Sequence, residues 1–321
     1  MEHVVHGPGR RALLAAGLGA ALAAGGCTNW PGASRGVAIV ASSGAPVSRA
    51  QALASMRLAD HLLLGEVHDN PVHHRERAAM LVALADRAPV AVFEQFSRGA
   101  DAALSGPVAG DLDAWLDRAK FDRQGWGWPL HRPLIDAALA QGMPIRGGNL
   151  PREQVQRIAR EGIAAAPVEM RARLQQGLPA QAAAVLDLAL RDGHCGRLPA
   201  SLLPRLRDAQ MARDIAMADA LVQASAGRTR PTVLIAGNGH VRRDHGVPLW
   251  LASEQPGARV LSVGFLERAV DGSHPAPPEL AVHDLVWITD RIDRVDPCKS
   301  LPLPPSPTPL APALVPKPAT P

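Results

Sequence analysis

The chain has no tyrosine, and its aromatic content is six Trp and four Phe in 321 residues. No phenol is therefore available as an acid, a nucleophile or a metal ligand. It has three cysteines, of which Cys195 and Cys298 belong to the body of the chain. Two such thiols can pair in an oxidising compartment, but they make no disulfide framework, and the fold must rest on an apolar core. The formal net charge of +4 is too small for a body of this size to argue for nucleic acid. No apolar run reaches the roughly 20 residues needed to cross a bilayer, and no internal repeat is present.

The longest apolar run, Ala12 to Ala24, follows Arg10-Arg11 and ends in Ala24-Gly25-Gly26-Cys27. A basic pair, a 13-residue apolar stretch and small residues before a cysteine have the form of a lipoprotein signal. Residues 1–26 are expected to be removed and Cys27 to carry the lipid. The mature chain would then sit on the periplasmic side of a bacterial envelope, with Thr28 pointing to the outer membrane. Residues 27–36 read as a linker. At the other end, ten of the 25 residues from Pro297 to Pro321 are proline, which gives a tail without a core of its own.

Between these ends short apolar runs alternate with helical patterns. The runs are Val37–Ala41, His61–Leu64, Val90–Phe93, Pro144–Arg146, Thr232–Ala236, Val260–Val263 and Leu285–Ile288. They are short, often β-branched, and bounded by Gly, Pro or Asp, as strands buried on both faces of a parallel sheet are. Pro71–Asp86 has a helix start, with Asp69-Asn70 as caps and Pro at the first helical position. The expected fold is α/β, a parallel sheet flanked by helices. Residues 37–150 and 227–296 form it, and 151–226 insert a smaller all-helical subdomain.

Ligands of open parallel sheets bind beyond the carboxyl ends of the strands, and the polar residues fall there. Leu64 is followed by Gly65, Glu66, His68, Asp69 and Asn70; Phe93 by Glu94 and Gln95; Arg146 by Gly147, Gly148 and Asn149; Ala236 by Gly237, Asn238, Gly239, His240 and Arg242. Either glutamate alone reads equally well as an ion-pair partner of Arg98 or Arg146, and His73 reads as a solvated position in a first helical turn. As a group, Glu66, His68, Glu94 and His240 form one expected pocket. Two carboxylates and two imidazoles can divide acid and base work, or bind a divalent metal and activate water.

"LLLGEVHDNPVHH", "VFEQF", "GWGWP", "GGN", "HCGRLP", "QMARD" and "AGNGHVRRDHGVP", in that order, resemble the motifs of the ChaN-like haem-binding lipoproteins. The likeness runs from about Val37 to Phe265. It implies a parallel sheet with a smaller helical domain, haem as ligand, and a role in haem or iron uptake. In that family a tyrosine meets the iron, and a histidine and a lysine meet the propionates across a dimer, so a homodimer is part of the expectation. Lacking tyrosine, this chain departs from the pattern. His131 stands in "GWGWPLH", where relatives often carry Tyr, and is the first candidate ligand; His194, beside Cys195, is the second. The lysines are Lys120, Lys299 and Lys317, and Arg213 and Arg242 are candidate propionate partners in their place. The wider superfamily includes Tiki-type metalloproteases and erythromycin-esterase-like hydrolases, which share a Gly-x-x-His element like Gly65–His68. That likeness implies the alternative function, a Glu/His hydrolase that uses a metal.

Overall fold

The structure, a computed structural model, describes Ser34 and residues 36–300, apart from 107, 109 and 228–230. The signal segment, Cys27 and the tail beyond residue 300 lie outside the described residues. Seven strands form one sheet: β1 (Ala38–Ala41), β2 (His61–Leu64), β3 (Val90–Ser97), β4 (Ile145–Asn149), β5 (Thr232–Ile235), β6 (Val260–Glu267) and β7 (Leu285–Thr289). Their spatial order is β1-β7-β6-β2-β5-β3-β4. All neighbours are parallel except β1, which runs antiparallel along β7 at the edge.

The longer helices are α1 (Arg49–Leu58), α2 (Pro71–Ala83), α3 (Leu112–Arg118), α4 (Arg132–Ala140), α5 (Arg152–Glu161), α6 (Val168–Gln176), α7 (Ala180–Gly193), α8 (Leu203–Ser225) and α9 (Val247–Glu254). Among the described residues none is long and apolar enough to cross a membrane. Their starts are chemically marked. Ser48 and Gln51 form a reciprocal capping box on α1. Asn70 accepts from the Val72 N–H ahead of Pro71 on α2.

The strands alternate between two cores. Leu62, Leu64, Phe93, Ile235 and Trp287 face α1 to α4 on one side. Leu63, Val90, Val92 and Leu234 face α8 and α9 on the other. Strands covered on both faces need apolar residues at every position, hence the unbroken runs in the sequence. α8 lies across this second face against β3, β4 and β5, and α5, α6 and α7 pack onto it. Six of its twelve buried positions are alanine, which lets a long helix approach the sheet closely.

β3 does not stop at Phe93. It runs to Ser97, and its register against β4 shifts between Phe93 and Ser97. Phe93 pairs with Gly147 and Ser97 with Asn149, so β3 carries two more residues than its neighbour across that interval. Glu94 and Gln95 lie inside this irregular stretch of strand rather than beyond it.

Candidate functional site

Two polar networks meet at the carboxyl edge of the sheet. The first is centred on Glu66, whose carboxylate is buried. Its Oε1 lies 2.7 Å from His68 Nδ1, 3.1 Å from His131 Nε2 and 3.3 Å from Gln95 Nε2. Its Oε2 is ion-paired with Arg77 and lies 3.2 Å from His74 Nδ1. The backbone turn that puts Glu66 there depends on Gly65. A Cβ at Gly65 would come 2.3 Å from Asn238 Oδ1, and Asn238 bonds the backbone of Phe265 through both its oxygen and its nitrogen.

Helix α2 supplies the floor under Glu66. Arg77 is fully buried, and burial lowers its pKa to about 9. It also reaches the carbonyls of Leu64 and His73, both at 3.4 Å. His73 is buried rather than solvated. Its Nδ1 accepts from Val67 N–H at 3.0 Å and its Nε2 lies 2.9 Å from Thr289 Oγ1, so it clamps the loop that bears Glu66 and His68. His74 Nε2 donates to the His68 carbonyl at 2.8 Å. Burial is the first cause of lowered pKa values for these imidazoles: about 3 for His73, 4 for His74 and 2 for His131. All three are neutral at pH 7.

A neutral imidazole has one N–H. His131 faces two acceptors, the Trp126 carbonyl at Nδ1 (3.1 Å) and Glu66 at Nε2. One of those contacts therefore needs a further proton or a cation. Donor atoms of Glu66, His68 and His131 all lie within 4.8 Å of one another, a spacing that could hold a metal ion.

The second network is centred on Glu94, also buried. It accepts from Gly237 N–H at 2.7 Å, pairs with Arg213, and lies 3.4 Å from His240 Nε2. The other face of His240 is held by α8: Asp214 Oδ1 is 2.5 Å from Nδ1 and the Gln210 amide is 3.1 Å away. Burial raises the Glu94 carboxyl, but His240 and Arg213 outweigh it and hold the pKa well below the usual carboxylate range. Burial and Arg213 pull His240 down; Glu94 and Asp214 outweigh them and leave it above the ordinary imidazole value.

His68 joins the networks. Its Nδ1 is spent on Glu66, while its Nε2 lies against Gly237, where a Cβ would stand only 2.8 Å away. Among the described residues no hydrogen bond reaches that Nε2, and the side chain is half exposed. Its ring meets Trp126 edge-on with centroids 5.3 Å apart. Trp126 lines a cleft of about 870 Å³ with Leu150, Val155, Arg118, Lys120, Arg152, Arg213 and Glu94.

The structure thus brings Glu66, His68, Glu94 and His240 into one contiguous cluster, with Arg213 on the cleft. His131 sits behind that cleft, 1% exposed, against Glu66. His194 is exposed at the end of α7, with its Nδ1 on the Leu190 carbonyl. Arg242 pairs with Asp244 and lines a separate, smaller cleft with His245 and His283. Cys195 is bonded to Cys298, so no thiolate stands beside His194. The ion partners of the two glutamates are Arg77 and Arg213; Arg98 pairs instead with Asp219, and Arg146 with Asp101. Asn70 is the cap of α2, whereas Asp69 pairs with Arg294. Arg77 and His74 are members that sequence reasoning missed; Gln95, named beside Glu94 at the strand end, joins them through Glu66. The one available signal was the spacing of Asn70, His73, His74 and Arg77, which places them along one side of a helix.

The family described as haem-binding uptake, Tiki superfamily, ChaN matches residues 52–251. No curated protein matches the chain. Among solved structures, that of ChaN of Campylobacter jejuni, described as binding haem cofacially, covers 79% of this chain and 97% of its own, at 19% identity with a TM-score of 0.64. That likeness shows the fold. An erythromycin esterase mutant in its open conformation is similar over 74% of this chain and 78% of its own, at 15% identity and a TM-score of 0.36.

Proposed function

The chain belongs to the haem-binding uptake (ChaN) family of the Tiki superfamily, and on that footing we propose that it binds haem in the cleft at the carboxyl edge of the sheet. The observation that carries this reading is the combination found in the cleft and beside its Trp126 wall. Trp126, Leu150 and Val155 give an apolar wall, Arg118, Lys120 and Arg152 give cations for two propionates, and His68 stands beside Trp126 with an open Nε2. In this reading His68 takes the place of the missing phenolate. Glu66 accepts its Nδ1–H, which fixes the tautomer and makes Nε2 a better donor to iron. His131 and Arg77 hold Glu66 in turn.

Hemin titration of the purified Cys27→Ala protein tests this. A saturable Soret shift of the histidine type is expected, at least about tenfold weaker in His68→Ala and unchanged in His194→Ala. A titration with no saturation, or one that His68→Ala leaves alone, rejects it.

The proposed setting is the bacterial envelope, as a lipoprotein anchored through Cys27 and serving haem or iron uptake. The Cys195–Cys298 disulfide supports an oxidising compartment. Cys27→Ala should move the protein from the membrane to the soluble fraction.

One observation favours a second reading, a metal-dependent hydrolase: the grouping of Glu66, His68 and His131. Elemental analysis separates the two. Stoichiometric zinc or manganese, lost in His131→Ala, would favour the hydrolase.

A further inference from the structure

Past β7 the chain runs without regular structure from Asp290 to Asp296 and reaches Cys298. Its far end is fixed by the disulfide to Cys195, in the turn between α7 and α8 and 103 residues away in sequence. Midway along this strap stands Arg294. Its guanidinium grips Asp69 at 2.8 and 2.9 Å and Glu267 at 2.6 Å through two nitrogens. Glu267 also accepts from the Asn70 amide at 2.6 Å. Asp69 and Asn70 directly follow His68. One guanidinium therefore ties the strap to the loop that carries the central imidazole of the site.

Arg294 and Glu267 are mostly buried, whereas Asp69 is half exposed, and an ion pair open to water on one side contributes little when its partners are free to part. Here both ends of the strap are fixed, one by β7 and one by a covalent bond. Arg294 thus meets its carboxylates at the high effective concentration of a short tether. Cutting the covalent end leaves the strap held by β7 alone and lowers that concentration. Both sulfur-bearing residues are partly exposed, so a small dithiol can reach them.

We propose that the Cys195–Cys298 disulfide is a redox latch on the 66–70 loop: oxidised, it holds Arg294 on Asp69 and Glu267; reduced, it frees the strap and loosens the loop. The chemistry is thiol–disulfide exchange with a dithiol. The dithiol supplies two electrons and two protons and closes to its own disulfide, while the S–S bond opens to two thiols.

Amide hydrogen exchange on the full chain, without hemin, tests the latch. The loop amides to follow are Val67, bonded to His73 Nδ1, and Asn70, bonded to the Val67 carbonyl. Adding dithiothreitol, or substituting Cys298→Ser, should speed exchange across 66–70 by about tenfold or more, with the β2 amides of 62–64 unchanged. In Arg294→Gln the loop should already exchange fast, and reduction should add nothing there while still freeing 291–300. If reduction frees 291–300 and leaves 66–70 alone, the disulfide only tethers the end of the chain and the latch is wrong. If 62–64 speed up as well, it is a global stability tie and the latch is equally wrong. Hemin release, expected to quicken by a similar factor on reduction, rests on the haem reading; the exchange arm does not, so the two can fail separately.

Discussion

Asp214 Oδ1 and His240 Nδ1 lie 2.5 Å apart, with the imidazole's other nitrogen turned toward Glu94. A histidine between two buried carboxylates is stabilised in its charged form, against the burial that opposes it. Its folded pKa lies above the ordinary value. The stability this adds is complete below pH 6.5 and is lost as pH rises through the higher folded pKa. Asp214→Asn keeps a hydrogen-bond acceptor but removes one charge. Urea unfolding at pH 6 should show the variant weaker by about 2 kcal/mol, with the gap narrowing toward pH 9. A gap independent of pH would mean that His240 is not charged.

His73, His74 and His131 predict the opposite pH dependence. Their folded pKa values, about 3, 4 and 2, lie below the ordinary imidazole value because burial disfavours the charged form. The stability they hold is present above pH 6.5 and is lost as pH falls toward those values. Each unfolded chain takes up three protons that the folded chain refuses. Circular dichroism should therefore show unfolding that begins below about pH 5. A native spectrum retained at pH 3 contradicts this.

Gly237 tests the seat of His68. Its backbone is ordinary, so alanine costs little there conformationally, but the new methyl would meet His68 Nε2 and Cε1 at 2.8 and 2.9 Å. Gly237→Ala should leave the melting temperature within a few degrees of the parent and weaken hemin by about tenfold. Unchanged hemin affinity would place the ligand away from His68.

His245 is buried, and neither ring nitrogen has a hydrogen-bond partner among the described residues. A buried polar group without a partner costs about 1–3 kcal/mol. His245→Phe, close in shape, should raise stability by about 1 kcal/mol in denaturant titrations. A loss of 2 kcal/mol or more would show that the ring is hydrogen-bonded in solution.

The sheet was legible because its strands are short, apolar and bounded. His61–Leu64 matches β2 residue for residue, and the helix expected from Pro71 starts there as α2. The candidate site was legible where polar residues follow a strand, as at Glu66 after β2 and His240 after β5. What stayed hidden depends on contacts between distant segments. Glu94-Gln95 looked like a strand end, since polar residues usually mark one, and only pairing with β4 shows that the strand continues. His73 looked solvated, since a polar residue in a first helical turn is usually on the outside; it is inside because Thr289 waits there, as Arg77 is inside against Glu66. The Cys195–Cys298 bond links segments whose proximity no local pattern records.

The reversed edge strand also sets how the protein faces its surroundings. Because β1 runs against the others, Ala38 lies beside Ile288, and the chain enters at the same edge of the sheet that carries Glu66 and Glu94. Eight residues, nine Cα steps, separate Cys27 from Gly36, a reach of at most roughly 30 Å even when fully drawn out. A lipid on Cys27 would thus act as a short mooring at the mouth end of the molecule. The cleft, beside β3 and β4, lies five strand spacings across the sheet from β1, so it would stand roughly 24 Å to the side of that mooring point.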